Sequence, residues 1–268
     1  MPGSLLTDTD SLIKTAITAA RESGRLLKEI FGRKREIHFK GEIDLVTDAD
    51  LRAEELIVKT IHAGYPEHTI VTEEKQSLVG RSPYKWIIDP LDGTTNYAHG
   101  FPWFCVSIAL AVHDEPVLGV VYHPFLDQLF RAGKGAGAYL NEKPICVSTT
   151  GKLRDSLLAT GFPYNIHTEP EPAVFYFKRF LTRSRGIRRA GAAALDLCYV
   201  ACGCFDGFWE TNLKPWDTAA GALLVREAGG LVTDFQARPF TPAMPEILAS
   251  NGYIHGQMAA VFQEERAG

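Results

Sequence analysis

The chain has 268 residues, of which 46% are hydrophobic and 22% are charged, and its formal net charge is −4. This balance is typical of a soluble globular protein and excludes a strongly basic nucleic-acid binder. No apolar run approaches the roughly 18 residues of a membrane-spanning helix, and residues 1–8 do not resemble a secretory signal. Five cysteines, an odd number, favour core-filling thiols in a reducing cytoplasm over a disulfide framework.

The first half of the chain predicts two helices followed by a mainly antiparallel sheet. Apolar residues at helical spacing indicate one helix over 10–31 and a second over 47–61. Short apolar segments between turn residues then predict strands at 69–72, 84–88, 105–112, 117–122, 128–131 and 133–139. The Pro, Ser, Thr and Gly residues of 143–151 mark the best domain boundary, which divides the chain into 1–150 and 151–268.

After this boundary the pattern changes to alternating strands and helices. We expect strands at 157–160, 207–210, 231–234 and 247–250, and helices at 173–182, 192–201, 216–228 and 253–265. Such alternation is typical of an α/β arrangement. The expected fold class is therefore a mixture of α+β and α/β, with an N-terminal part on a mainly antiparallel sheet and a C-terminal α/β part.

The most informative segment is residues 86–96, with the sequence WIIDPLDGTTN. The segment begins with apolar residues and continues into a Pro/Gly turn that contains Asp89 and Asp92. Thr94 and Thr95 follow this turn directly. Hard oxygen ligands in a rigid turn are what Mg²⁺ prefers, whereas carboxylates crowded without a cation repel one another. The segment therefore predicts a metal site.

Three further carboxylates lie at the ends of predicted elements. Glu73 follows a strand, Asp217 opens a helix, and Asp50 lies in the first turn of another helix. Each has a simpler explanation: Asp50 could complete a capping box, Asp217 could favour a helix dipole, and Glu73 could be solvated. Asp89 and Asp92 could likewise be ordinary turn residues. Taken jointly, and with glycine-marked helix starts suited to phosphate, they fit a metal and phosphate site better.

These motifs resemble those of the inositol monophosphatase family. The resemblance is carried by residues 86–96, by the Glu73-Glu74 pair upstream and by Trp216-Asp217 downstream, in the family's order and over essentially the whole chain. The details are most similar to bacterial members. The resemblance implies a layered α-β-α-β-α sandwich of the sugar phosphatase type and a lithium-sensitive, Mg²⁺-dependent phosphomonoesterase.

The resemblance also implies a role for each matching position. The ligands of two or three Mg²⁺ ions would be Glu73, Asp89, Asp92, Asp217 and the Leu91 carbonyl. Thr94 and Glu73 would orient and activate the attacking water, with Asp50 near the water network. The substrate would contact Gly93, Thr94 and Thr95 at its phosphate, and Gly191, Ala192, Ala193, Glu210 and Asp217 towards its alcohol.

One departure from the family pattern concerns the alcohol side. Family members often have a hydroxyl residue where this chain has Ala192, so one polar contact to the substrate is lost. The implied function is hydrolysis of inositol monophosphate or a similar small polyol or sugar phosphate, without a phosphoenzyme. Alternative substrates within the class are fructose 1,6-bisphosphate, histidinol phosphate and 3′-phosphoadenosine 5′-phosphate.

A basic run over 178–189 leaves a different class of function open. Some bacterial relatives are regulators associated with transcription or the ribosome, for which this run would be a contact surface. We expect instead a solvated or dimer-facing surface on a cytoplasmic homodimer that contacts no membrane. The eight histidines show no ligand spacing and are expected at the surface or as caps, and residues 101–104 are expected to pack beneath the turn.

Overall fold

The structure is a computed structural model that describes residues 5–31, 37–39, 45–75, 77–171 and 173–264. Its helices are α1 (Leu5–Ile30), α2 (Asp48–Gly64), α3 (Thr94–Ala98), α4 (Ala173–Leu181), α5 (Ala193–Ala201), α6 (Pro215–Glu227) and α7 (His255–Phe262). Short 3₁₀ helices cover Leu153–Asp155 and Tyr164–His167.

The strands are distributed over two large sheets and one small pair. They are β1 (Ile37–Phe39), β2 (Leu45–Thr47), β3 (Thr69–Thr72), β4 (Tyr84–Asp92), β5 (Cys105–Val112), β6 (Glu115–His123), β7 (Gln128–Gly133), β8 (Gly137–Leu140), β9 (Lys143–Ile145), β10 (Leu157–Thr160), β11 (Gly186–Arg188), β12 (Gly207–Thr211), β13 (Leu231–Thr233) and β14 (Glu246–Ser250). The seven-stranded sheet has the order β3-β4-β5-β6-β7-β8-β9, and the five-stranded sheet has the order β11-β10-β12-β14-β13.

Helices and sheets alternate in five layers. Helices α1 and α2 pack on one face of the seven-stranded sheet, and α6 packs on strands β5, β6 and β7 from the other. Helix α5 pairs with α6 and contacts the five-stranded sheet, against which α4 and α7 also pack. The α-β-α-β-α sandwich expected from the sequence is confirmed.

Alternation along β4 explains why its sheet separates two cores. Trp86 and Ile88 are fully buried in the cluster that faces α1 and α2. Ile87, between them, belongs to the cluster that also contains α5 and α6 residues such as Leu197 and Leu224. Successive strand residues point to opposite faces of a sheet, so one apolar strand contributes to both cores.

Strand directions agree with the expected division of sheet types. In the seven-stranded sheet every pairing is antiparallel except that of β3 with β4. In the five-stranded sheet, β10 pairs in parallel with β11 and β12, whereas β14 pairs antiparallel with β12 and β13. The division of the chain at residue 150 into two domains stays a prediction. The core cluster between the sheets contains residues from both parts, so the two parts share a core.

Several element boundaries differ from the sequence-based expectation. Helix α1 begins at Leu5, before the predicted start at residue 10, since no Gly or Pro interrupts the intervening segment. The single strand predicted at 133–139 is wrong, because a turn with Gly135 at φ 74° separates β7 from β8. Strand β9 lies inside the predicted boundary segment, where an edge position tolerates Pro144.

The cysteines are all free thiols, but they are not all core residues. Cys105 and Cys198 are buried as expected. Cys146 and Cys204 are exposed and Cys202 is partly buried, so the core-filling expectation is wrong for these three. No helix in the described part of the chain is long and apolar enough to cross a bilayer.

Two histidines contradict the expectation that all lie at the surface or serve as caps. His123 is fully buried and packs edge-on against Trp103, with 5.4 Å between ring centroids. His255 is 4% exposed, and its ring nitrogens lie 2.8 Å from Ser250 Oγ and 2.9 Å from Thr233 Oγ1. Burial lowers the pKa of each histidine to about 4. Both rings are therefore neutral at pH 7.

Candidate active site

The centre of the site is the end of β4, where the ladder with β5 is interrupted between Asp89 and Asp92. The Leu91 N–H donates to Asp89 Oδ1 over 2.9 Å, which folds the intervening residues into a bulge. Thr94 Oγ1 donates to the Leu91 carbonyl over 3.0 Å. These bonds are local and hold the motif's oxygen atoms in a fixed arrangement.

Gly93 is required at the next position for two reasons. Its φ of 94° is a left-handed conformation that favours glycine. A Cβ atom there would also lie 2.9 Å from the Trp103 carbonyl oxygen. Phe104 packs beneath this turn, as expected, whereas Phe101 is 53% exposed and does not.

Asp92 links the end of β4 to helix α5. Its Oδ2 atom accepts a hydrogen bond from the Ala194 N–H over 2.8 Å, in the first turn of α5. The Ala193 N–H also contributes to stabilising this carboxylate. The first-turn amides of α5 therefore anchor a β4 side chain, so Ala193 and Ala194 act on Asp92 through their backbone.

The other acidic residues reach the same region from separate elements. Glu73 directly follows β3, which pairs in parallel with β4, and is partly exposed. Asp217 lies in the first turn of α6, where its Oδ2 atom accepts a 2.7 Å hydrogen bond from the Lys214 N–H. Its place in the first turn fits the helix-dipole explanation, and the structure adds this capping bond, but the same carboxyl also faces the cavity described next.

A cavity of about 340 Å³ contains most of the residues expected at the site. The predicted residues that line it are Glu73, Asp89, Leu91, Asp92, Gly93, Thr94, Thr95, Gly191, Ala192, Ala193, Glu210 and Asp217. Asp50 is the exception: it is fully buried on α2 and does not line the cavity. It nevertheless lies near enough to Asp89 for its charge to act on that carboxyl.

The crowded carboxyl groups strongly resist ionisation. Burial raises the pKa of Asp89 well above its usual range, and the charges of neighbouring carboxylates, Glu73 foremost, raise it further. Burial raises the pKa of Asp92 to about 7 even though the Ala194 N–H lowers it. Burial likewise raises the pKa of Asp217 to about 7. If all these carboxyl groups were ionised, their negative charge would not be stabilised without a bound cation.

Another wall of the cavity carries the partly buried acid Glu210 beside a cation. Burial raises the pKa of Glu210 to about 8, against the lowering effect of the nearby Arg189. The Glu210 carboxylate lies directly over Gly161, where a Cβ atom would be 2.0 Å from Oε1. Any residue other than glycine at 161 would displace Glu210.

Asn96 links this wall to the turn over residues 89–95. Its Nδ2 atom donates to the carbonyl oxygens of Trp103 and Ala190, each over 2.8 Å, and lies 3.2 Å from that of Gly191. A Cβ atom on Gly191 would lie 2.6 Å from Arg189, so the 189–191 segment is tightly packed.

Sequence reasoning missed several of these residues. Asn96 lies in the motif directly after the two threonines, so its position could have identified it as a site residue. Gly161 directly follows a predicted strand, where a glycine often marks a close approach. Phe162, Tyr164 and Arg189 also line the cavity, but neither spacing nor periodicity distinguishes them from surface residues.

The five-layered fold and an acidic cavity that draws on both sheets define an enzyme of the sugar phosphatase type. A model of the inositol monophosphatase family matches residues 8–267. The chain belongs to this family, and it is an enzyme of the phosphoric monoester hydrolase class.

Similarity to individual proteins extends over nearly the whole chain. The chain is 45% identical to inositol-1-monophosphatase of a Synechocystis strain, over 94% of this chain and 88% of that protein. It is 46% identical to Nus factor SuhB of Haemophilus influenzae, over 84% of this chain and 86% of that protein. The structure of inositol monophosphatase from Anabaena superposes with a TM-score of 0.87 at 41% identity, covering 96% of both chains.

Proposed function

We propose that this chain is a Mg²⁺-dependent phosphomonoesterase that hydrolyses inositol monophosphate or a similar small polyol or sugar phosphate. The convergence of Glu73, Asp89, Asp92 and Asp217 on one cavity carries the proposal. The similarity to a relative named inositol-1-monophosphatase supports the substrate class.

The donor atoms present fit Mg²⁺. They are carboxylate and carbonyl oxygens, and burial, together with the charges of neighbouring carboxylates, raises the carboxyl pKa values as described above. Among the described residues, no three His, Cys, Asp and Glu side chains are arranged around one ion position. Mg²⁺ takes only one or two carboxylates per ion and fills its remaining positions with water and substrate phosphate. Carboxylates spread along a cavity therefore suit two or three such ions.

We assign the ligands as Glu73, Asp89, Asp92, Asp217 and the Leu91 carbonyl. When bound, Mg²⁺ supplies neutralisation of charge on the phosphoryl oxygens and a lowered pKa for the attacking water. Asp89 and Asp92 lie at the centre of this set because both belong to the β4 bulge. The Ala194 N–H holds one oxygen of Asp92, which fixes the direction of the other.

The protein's part in the reaction is to position the water. Thr94 Oγ1 is tied to the Leu91 carbonyl at 3.0 Å, so its lone pairs are directed away from that bond. We assign Thr94 and Glu73 to orienting the nucleophile, with Asp50 supporting the network from α2. Attack by water breaks the bond between phosphorus and the alcohol oxygen, and a water proton ends on the released alcohol.

Substrate binding divides between the two walls. We assign the phosphate to Gly93, Thr94 and Thr95, and the alcohol to Gly191, Ala192, Ala193 and Glu210, with Asp217 between them. The carboxyl group of Glu210 accepts hydrogen bonds from polyol hydroxyls through its carbonyl oxygen even when it is protonated. Ala192, which is 2% exposed, offers no side-chain hydrogen bond, so the polyol preference depends on Glu210.

The test is a parallel phosphate-release assay on the purified protein. Inositol monophosphate, fructose 1,6-bisphosphate, histidinol phosphate and 3′-phosphoadenosine 5′-phosphate are compared in Mg²⁺ and in chelator. We expect the highest kcat/KM with inositol monophosphate and no turnover in chelator. Turnover that persists in chelator would contradict the metal assignment, and preference for another of the four would replace the substrate.

A second candidate function is contact with the transcription machinery, which is favoured by the similarity to a protein named Nus factor SuhB. The basic run is less available than its sequence suggests. Arg179 and Arg183 both pair with Glu264, and Arg185 lies 3.7 Å from Asp155. Charge reversal of the exposed Lys178 and Arg188 is therefore the better test, scored by recovery of RNA polymerase from native lysate. Equal recovery by the parent and the variant would dismiss this surface.

We also propose that the enzyme is a cytoplasmic homodimer inhibited by lithium. Exposed apolar side chains support an interface, since Phe101, Phe125 and Leu126 are 53%, 40% and 53% exposed. Light scattering of the purified protein tests the dimer, and a LiCl titration against KCl tests the inhibition. A monomer at micromolar concentration would contradict the first proposal.

A further inference from the structure

Helix α2 carries a second buried acid one turn after Asp50. Glu54 is fully buried, as Asp50 is. Residues four apart lie on the same face of a helix, so the two acids share one face of α2, and the Glu54 carboxyl group reaches the turn after β3. Neither the motifs that carry the resemblance nor the cavity described above includes Glu54.

Glu54 holds the backbone beside Glu73. Its Oε2 atom accepts a hydrogen bond from the Glu74 N–H over 2.9 Å. Within the same turn, Thr72 Oγ1 donates to the Lys75 carbonyl over 3.3 Å. The turn that carries Glu73 is therefore fixed on both sides of this residue.

Burying the Glu54 carboxyl group costs free energy, which is hard to explain if the side chain only fills space. In the described part of the chain its Oε1 atom has no hydrogen-bond partner. Burial raises the pKa of Glu54 more than the Glu74 N–H and the Thr72 side chain together lower it. An apolar side chain of similar size would fill the same space without this cost. The presence of an acid at position 54 is therefore better explained by its hydrogen bond from the Glu74 N–H.

We infer that Glu54 is a positioning residue, whose buried carboxyl group fixes the Glu73-Glu74 backbone so that Glu73 reaches the metal site. The inference depends on the proposed function, because it takes Glu73 as a metal ligand. Residues that orient metal ligands typically change metal affinity by about 10- to 100-fold when they are replaced.

The chain offers a matched control across the same two elements. Lys75 Nζ lies 2.7 Å from Glu55 Oε1, and these side chains are 45% and 66% exposed. Exposed ion pairs contribute little to stability. Glu55→Gln therefore removes an ion pair between α2 and the same turn without touching the buried bond.

The experiment measures Mg²⁺ binding by calorimetry without substrate, together with amide hydrogen exchange at Glu74. Glu54→Leu removes the acceptor and is expected to raise the Mg²⁺ dissociation constant by about tenfold or more, with faster exchange at Glu74. Glu54→Gln keeps an acceptor oxygen and is expected to bind Mg²⁺ as the parent does. The KM for substrate at saturating Mg²⁺ should stay near the parent value in both variants.

Further variants separate the outcomes. If Glu54→Leu does not fold, Glu54→Asp replaces it, because the shorter side chain no longer reaches the Glu74 N–H and should weaken Mg²⁺ binding similarly. Equal Mg²⁺ affinity in the parent and in every folded variant at position 54 would overturn the inference. Weakening by Glu55→Gln to the same extent would also overturn it. A parent protein that binds no Mg²⁺ would instead overturn the proposed function.

Discussion

The two walls of the cavity are built in different ways. The turn over residues 89–95, the proposed metal-binding turn, is contiguous, and its polar atoms are held by bonds between neighbours such as that from Thr94 to the Leu91 carbonyl. The other wall, the proposed alcohol wall, comes from three separate segments, which contribute Gly161, residues 189–193 and Glu210. One wall is therefore determined by a short sequence, and the other by how distant segments pack.

This difference has a functional meaning. Phosphoryl transfer needs the same charges for every phosphomonoester, so a rigid local turn suits it. Selection of the alcohol depends on shape and on a few polar contacts. A wall assembled from separate segments can change its contacts without disturbing the turn, as the replacement of a hydroxyl residue by Ala192 illustrates.

The largest effect is expected at the turn. Asp92→Asn keeps the shape of the side chain but removes a charge from the centre of the proposed metal site. We expect kcat to fall by at least about 100-fold, as it does on loss of a strong electrostatic element. The measurement is phosphate release at saturating Mg²⁺.

Asp114→Asn is the matched control, because Asp114 is an exposed acid that pairs with Lys85 far from the cavity. Its kcat should equal that of the parent. Near-normal turnover by Asp92→Asn would mean that the turn does not supply the chemistry.

A smaller effect is expected on the pH dependence of stability through Glu210. Its folded pKa of about 8 lies above the ordinary value of 4.5, so the folded state binds the extra proton between these values. Its contribution is fully present below pH 4.5 and is lost as the pH rises through 8. The free energy of unfolding should therefore fall with rising pH in the parent, relative to Glu210→Gln, by at most about 1.4 kcal/mol per pH unit.

Urea unfolding in chelator at several pH values within this window measures the difference. Glu142→Gln, at an exposed glutamate paired with Arg131, is the control and should follow the parent curve. Parallel curves for the parent and Glu210→Gln would show that Glu210 ionises normally, and the alcohol wall would then lack its distinctive acid.

The smallest effect is expected at Gly161. Gly161→Ala places a Cβ atom where the Glu210 carboxylate lies, so Glu210 must move. We expect the KM for inositol monophosphate to rise by about tenfold, the equivalent of one disturbed polar contact. Hydrolysis of p-nitrophenyl phosphate, which has no polyol, should not change.

Gly151→Ala provides the comparison, because a Cβ atom at Gly151 would meet nothing within 4 Å. Equal losses on both substrates in Gly161→Ala would indicate that the two walls are not independent.

The contrast between the walls also explains which features the sequence predicts. Helical periodicity identified α1 and α2, and short apolar segments between turns identified the strands from β3 to β7. The turn motif identified Asp89, Asp92 and Thr94, which line one cavity. The short elements α3 and β11 were missed, because five and three residues are too few to show a period.

Contacts between distant residues account for the remaining gaps. The Asn96 amide is satisfied by carbonyl groups at Trp103 and Ala190, and only the fold brings Ala190 near. Glu54 meets Glu74 across 20 positions of sequence. His123 and His255 are polar residues whose burial depends on partners in other elements. Neither composition nor spacing encodes such pairings.

The bond from the Ala194 N–H to Asp92 has a consequence for protein engineering. The predicted domain boundary near residue 150 would be an obvious crossover point for chimaeras of two family members. A crossover there would combine a β4 carboxylate from one parent with the α5 amides that orient it from another. The buried cluster between the sheets would be split between parents as well. Substrate specificity is therefore better exchanged through the 161–164 and 189–193 segments than by swapping halves.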